Sequence, residues 1–183
     1  MKQFEKAFYK KISFDKDISQ SKNILLNKIC DQNILVIGGA GTIGSSYIKQ
    51  ILNYKPSKIT VVDFNENGLT ELTRDLRSFN LLDYNPEYIT YPVNLLSDTF
   101  DKIFNSETWQ VVANFSAHKH VRSEKDKISV EALIKNNVFG AIKLLNLCEG
   151  NPPKYFFSVS TDKAANPVNI MGASKSLMEK LIL

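Results

Sequence analysis

The sequence predicts an α/β fold: a parallel five-stranded sheet ordered 3-2-1-4-5, held between two layers of helices. Three observations carry that prediction. The apolar run Ile34-Leu35-Val36-Ile37 passes without interruption into a glycine-rich turn, Gly38-Gly39-Ala40-Gly41-Thr42-Ile43-Gly44. Strand-like apolar runs then alternate with amphipathic helical stretches to the end of the chain. An acid, Asp63, closes the second of those runs about 20 residues after the last glycine.

The elements follow in order. The glycines after the first strand fit two registers, Gly39/Gly41/Gly44 as G-x-G-x-x-G and Gly38/Gly41/Gly44 as G-x-x-G-x-x-G. In either register, missing side chains permit a tight turn, let a pyrophosphate approach the backbone and let the next helix pack close to the strand. The helix N-terminus then stabilises the phosphate charge. Ile43, Tyr47, Ile48, Ile51 and Leu52 continue at helical spacing. Lys58-Ile59-Thr60-Val61-Val62-Asp63 is the second strand, and its terminal acid stands where a ribose ligand is expected. A carboxylate there accepts from two hydroxyls and repels a 2′-phosphate, which predicts NAD rather than NADP. The alternative for Asp63 is an ordinary acid opening a turn.

Leu69, Leu72 and Leu76 mark a crossover helix, and residues 88–94 a third strand whose Pro92 suits a sheet edge. Asn94 at its end reads either as a contact to the adenine edge or as a turn asparagine. After a short helix over 99–104, residues 111–117 form the fourth strand, where Ser116 and Ala117 leave room for a ligand. A long helix through Val130, Leu133, Asn137, Val138 and Leu147 stops at Asn151-Pro152-Pro153. The fifth strand, 154–160, delivers Thr161-Asp162-Lys163 to the crevice between strands one and four, where the sheet order reverses. A last helix carries Met171 and Lys175. The result is a Rossmann-type three-layer sandwich over residues 33–183, preceded by a helical extension over 1–32.

Composition bounds the rest. A chain of 183 residues with 43% hydrophobic residues fits one domain with a core. The net charge of +4 suits anionic cofactors and substrates without requiring nucleic acid, and no nucleic-acid partner is expected. Cys30 and Cys148 lie in helical stretches without C-x-x-C spacing and read as buried thiols of a reducing compartment. No window has the apolar length to cross a bilayer, and no signal-peptide core opens the chain, so no integral membrane segment and a cytoplasmic location are expected. Lys2, Lys6, Lys10, Lys11 and Lys16 alternate with Phe4, Phe8, Ile12 and Phe14 as in a basic amphipathic helix. Such a helix serves a membrane surface, a partner, or, most commonly, its own domain. A second short helix, through Ile18, Ile24, Leu25 and Ile29, leads into the strand. His118 and His120 lack the further ligands a metal needs, and no metal is expected.

Two blocks carry a family resemblance. Residues 160–175, from Ser160-Thr161-Asp162-Lys163 through Gly172-Ala173-Ser174-Lys175, resemble the signature of the CapD-like polysaccharide biosynthesis proteins, UDP-N-acetylglucosamine 4,6-dehydratases and relatives within the extended short-chain dehydrogenase/reductase superfamily. Ala117-His118-Lys119-His120-Val121 followed by Glu124 is similar to that family's block after the fourth strand. The resemblance runs from about residue 33 to the end. It implies an NAD(P)-dependent lyase of surface-polysaccharide synthesis acting on a UDP-sugar: hydride leaves C4, the C5 proton and the C6 hydroxyl depart, and hydride returns to C6. By resemblance Lys163 takes the C5 proton, Asp162 protonates the departing hydroxyl, Thr161 hydrogen-bonds the C4 oxygen and Lys175 holds the nicotinamide ribose. Met171 stands where the wider superfamily has the tyrosine base, as in larger members of this branch. A thioether cannot act as that base, which leaves Asp162 or a water on Thr161 for C4. Family members continue well beyond this length into a substrate domain, so the chain reads as the cofactor-binding half of a dehydratase, with an exposed fifth-strand edge at Phe156 and Phe157. A non-catalytic nucleotide-binding or assembly module, and a nucleotide-sugar epimerase or reductase, are the alternatives. By resemblance the long helix and the last helix pair in a homo-oligomer.

Overall fold

The computed structural model describes residues 14–119 and 124–183. Five strands, β1 (Asn33–Ile37), β2 (Lys58–Asp63), β3 (Glu87–Pro92), β4 (Val111–Asn114) and β5 (Tyr155–Ser158), form one sheet in the order β3-β2-β1-β4-β5. All four pairings are parallel. The expected order is therefore the observed one, with Pro92 at the end of an edge strand, where its missing N–H costs no ladder bond.

Alternation along β1 divides the core. Ile34 and Val36 face one side with Ile59, Val61, Ile48, Ile51 and Leu72, while Leu35 and Ile37 face the other with Val112, Phe100, Phe104, Trp109 and Leu144. A strand buried on both faces reads as an unbroken apolar run, which is why residues 34–37 lack any polar position. The first face is covered by α3 (Thr42–Leu52) and α4 (Glu66–Ser78). The second is covered by α5 (Asp98–Asn105) and by α7 (Gly140–Gly150), which continues from α6 (Lys127–Ile134) through a single wide turn. The last helix, α8 (Ile170–Ile182), packs beside that wide turn.

Four expectations are corrected. The helix expected to run evenly from Val130 to Leu147 contains a π segment at Lys135–Phe139, because Asn137 turns inward to serve polar partners described below. Ile43 does not share the buried face of α3 but is 55% exposed beside the glycine turn. The second short helix is two, α1 (Asp15–Gln20) and α2 (Lys22–Ile29), which meet the core through buried Ile29 and half-buried Leu25. Cys30 caps α2 instead of lying within it, and both cysteines are half-buried. Burial pushes the Cys148 thiol up to about 11. Of the basic amphipathic helix expected over residues 2–16, all the named residues but Phe14 and Lys16 lie outside the described residues, as do His120 and Val121.

Candidate active site

Parallel strands aim their C-terminal ends at one edge of the sheet, and a cleft of about 470 Å³ opens there. Its floor is the end of β1 and the turn after it, Ile37, Gly38, Ala40 and Gly41. One wall is Val62, Asp63, Phe64 and Asn65 after β2 with Asn94 after β3, and the other is Ser116, Ala117, His118 and Lys119 after β4. This is the switch point of the sheet, between β1 and β4.

The glycine turn has a specific steric reason. Gly38 has φ +74°, and a Cβ there would lie 2.5 Å from the Ser116 nitrogen. A Cβ on Gly44 would lie 2.5 Å from the Gly38 carbonyl oxygen, whereas Gly41 donates to that same oxygen at 3.3 Å and caps α3. Gly38, Gly41 and Gly44 thus pack on one another. Gly39 does not line the cleft; its missing side chain makes room for Val61 and Ile48 in the core.

Gly41 offers no side-chain cap to α3, while Asn65, Ser97, Asp126 and Asn169 cap α4, α5, α6 and α8. The cleft reaches this helix start at Gly41; Thr42, Ile43 and Gly44, expected to bind the cofactor, are not among its lining residues, and the amides of the first helical turn lack a side-chain cap. Asp63 lines the cleft. Its Oδ2 accepts from the Ala40 N–H at 3.0 Å and its Oδ1 from the Asn65 N–H at 3.0 Å, and each oxygen has a second lone pair. Asn94 lines the cleft and its Oδ1 accepts from the Leu96 N–H, so the turn reading of that residue is also realised. Residues around the glycine turn, the acid and the small residues of β4 fit a dinucleotide.

The second group gathers at the head of α8. A 3-10 turn at Asp162–Ala164, capped by Thr161, rests on that helix at Gly172, where a Cβ would lie 2.5 Å from the Lys163 carbonyl. Asp162 and Lys163 do not line the cleft. The Asp162 carboxylate is 88% exposed, accepts from Thr161 Oγ1 at 2.9 Å and meets Lys163 Nζ at 3.5 Å. The Thr161 hydroxyl, with the lysine behind it, holds the Asp162 carboxyl below the usual carboxylate range. Met171 is 3% exposed. Lys175 is buried, with Nζ donating to the Val159 carbonyl at 3.1 Å and lying 3.4 Å from Met178 Sδ, and burial pulls its ammonium down to about 8.

Two residues that the sequence did not single out for a role join the groups. Asn137, in the π segment, accepts from the His118 N–H at 2.9 Å and donates to the His118 carbonyl and to Ser174 Oγ. Glu124 accepts from the Met171 N–H at 2.7 Å. The signal for Asn137 was an amide side chain on the apolar face of a helix. Such a residue must find internal partners.

The comparisons agree with this geometry. The profile described as polysaccharide biosynthesis protein matches residues 34–183. An uncharacterized membrane protein of Methanocaldococcus jannaschii is 36% identical over 154 residues, 84% of this chain and 43% of that protein. A UDP-N-acetylglucosamine 4,6-dehydratase (inverting) of Campylobacter jejuni is 33% identical over 157 residues, 83% of this chain and 43% of the enzyme. Among solved structures, Pen from Bacillus thuringiensis superposes with a TM-score of 0.73 at 26% identity, covering 85% of this chain and 46% of that one. The chain therefore spans less than half the length of these relatives. With the profile covering the whole sheet, the cleft and the head of α8, the chain belongs to the polysaccharide biosynthesis protein family.

Proposed function

We propose that residues 33–183 are the NAD-binding part of a nucleotide-sugar 4,6-dehydratase acting on a UDP-N-acetylhexosamine. The observation that carries this reading is the cleft at the switch point, lined by Gly38, Ala40 and Gly41 of the glycine turn with Asp63 on its wall. The likeness to the Campylobacter dehydratase supports the substrate class. Bound nicotinamide would supply the hydride acceptor and donor. Of the chain's own groups, Thr161 orients the C4 oxygen. Asp162, directly or through a water on Thr161, takes the C4 hydroxyl proton as hydride leaves and gives a proton to the departing C6 hydroxyl. Lys163 removes the C5 proton and returns it when hydride re-enters at C6. Lys175 holds the nicotinamide ribose, a role supported by its place in the family block and by the burial that lowers its pKa.

Asp162 as described is held ionised, since Thr161 and Lys163 stabilise its anion. Acting as an acid requires substrate and covering structure to exclude water and raise its pKa. That requirement favours a second reading, a nucleotide-binding module without turnover of its own, because Asp162 is open to solvent. The exposed apolar residues Ile128, Phe139, Leu177 and Leu181 on α6–α8 support pairing of two copies through those helices.

Titration with NADH and NADPH tests the cofactor half. Tighter binding of NADH is expected, with Asp63→Asn losing about 10-fold in NADH affinity. A preference for NADPH overturns the assignment. Incubation with UDP-N-acetylglucosamine and NAD separates the readings: a 4-keto-6-deoxy product supports the dehydratase, and dinucleotide binding without product supports the module.

A further inference from the structure

Asn114 is a polar residue in an apolar place. It ends β4 after Val111, Val112 and Ala113, is 4% exposed, and pairs in register with Ile37 of β1 and Ser158 of β5. A buried amide there costs the fold unless its oxygen and its nitrogen both find partners. Here each has one or more. Its Oδ1 accepts from the Ser116 N–H at 3.0 Å and from Ser116 Oγ at 2.8 Å, and its Nδ2 donates to Ser158 Oγ at 3.1 Å. The Ser116 N–H can only donate, which fixes the oxygen of the amide on that side and the nitrogen on the other.

That orientation sets the direction of the hydroxyls on either side. Ser116, which lines the cleft, gives its hydroxyl proton to Asn114, so toward any ligand its oxygen can only accept. Ser158 receives a hydrogen bond from Asn114 and turns its own proton to Met178 Sδ at 3.5 Å. Lys175 Nζ rests on the same sulfur at 3.4 Å. The other partner of Lys175, the Val159 carbonyl, belongs to the residue whose N–H donates to the Asn114 carbonyl at 3.0 Å. Side chain and main chain of Asn114 thus lead to both atoms that hold the buried ammonium.

We propose that Asn114 is a positioning residue that couples the cofactor cleft to Lys175, through Ser116 on one side and through Ser158 and Met178 on the other. Asn114 itself does not line the cleft. Hydrogen bonds in series polarise one another where water is excluded, which lets a change at one end reach the other. The proposal rests on the cofactor reading for what meets Ser116. An oxygen that can only accept suits a donor of the dinucleotide, a hydroxyl or an amide N–H, and disfavours a phosphate oxygen. The phosphates then belong at the glycine turn, and the chain from Ser116 to Lys175 serves another part of the cofactor.

Titration of the whole 183-residue chain with NADH, beside amide resonance spectra of the ligand-free protein, tests it. Asn114→Leu, close to the parent side chain in size, is expected to weaken NADH binding about 10-fold. Asn114→Asp keeps an acceptor for both Ser116 donors and is expected to recover most of that loss, a rescue that a packing role would not give. In the ligand-free protein, Lys175→Met is expected to move the Ser116 amide resonance. Ser158→Ala breaks the chain between them and is expected to shrink that response; it leaves the Ser116 bonds in place and decides the matter if Asn114→Leu does not fold. NADH affinity in Asn114→Leu equal to the parent's overturns the proposal, as does an Asn114→Asp variant no better than Asn114→Leu. A Ser116 amide that ignores Lys175→Met, or that responds in full without the Ser158 hydroxyl, overturns it as well. A parent that binds neither NADH nor NADPH removes the cofactor reading instead, and the Ser116 response then decides the coupling by itself.

Discussion

Lys175 places an ammonium where solvent barely reaches, against one carbonyl and one thioether. Its pKa of about 8 in the folded chain lies below the ordinary 10.5. Between those two values the unfolded chain binds more protons, so stability rises with pH across that window. Below about pH 8 the lysine withholds up to about 3 kcal/mol from the fold, which is the order of magnitude of the displacement. Lys175→Met is accordingly expected to raise the melting temperature at pH 7 by about 3–8 °C. The variant should also lack the parent's gain between about pH 8 and pH 10, as thermal melts across that range would register. No gain at pH 7 would mean that the buried charge is compensated. Such a cost is consistent with the cofactor-binding role proposed for Lys175. The identity of Lys175 was legible in the sequence because its neighbours form a recognisable block. Its burial and its altered proton affinity were not, because they depend on β5 and α8 meeting.

Elements position these residues through polar contacts more than through glycine. The π segment at Lys135–Phe139 widens the α6–α7 helix at the point where Asn137 turns toward His118 and Ser174. Asn137→Ala leaves the His118 peptide and the Ser174 hydroxyl short of partners and is expected to cost about 2–4 kcal/mol. Because His118 lines the cleft, the same change should lower NADH affinity at temperatures where the variant remains folded, measured by titration beside a denaturant curve. A loss of stability with unaltered affinity would confine Asn137 to a packing role. Strand and helix types were legible from period alone, since β1 is apolar at every position from Ile34 to Ile37 and α4 repeats Leu69, Leu72 and Leu76 on one side. The π turn was not, because inserting one residue into a helix leaves apolar spacing nearly unchanged over two turns. The ends of β4 and β5 were also overextended. Asn114 Oδ1 takes the Ser116 N–H and ends β4, a side-chain event that no strand pattern encodes.

At the scale of the molecule, sheet order and crevice followed from the succession of elements and from right-handed crossovers, which leave few alternatives. What the succession could not supply is the separation of the predicted site into two parts, cofactor cleft and α8 head, with Asp162 and Lys163 outside the first. Adjacent residues in a motif share a neighbourhood, but the direction each faces depends on the turn that carries it. The stretch after β4 is fastened to α8 on both sides of residues 120–123, through Asn137 to Ser174 and through Glu124 to Met171. A molecule settling against His118 or Lys119 therefore leans on the same frame that holds the buried lysine. Filling the cleft with dinucleotide should slow hydrogen exchange at the Met171 and Gly172 amides together with that at His118, while an amide pair in α4 serves as the indifferent reference. Two regions that never share a wall would then tighten as one piece.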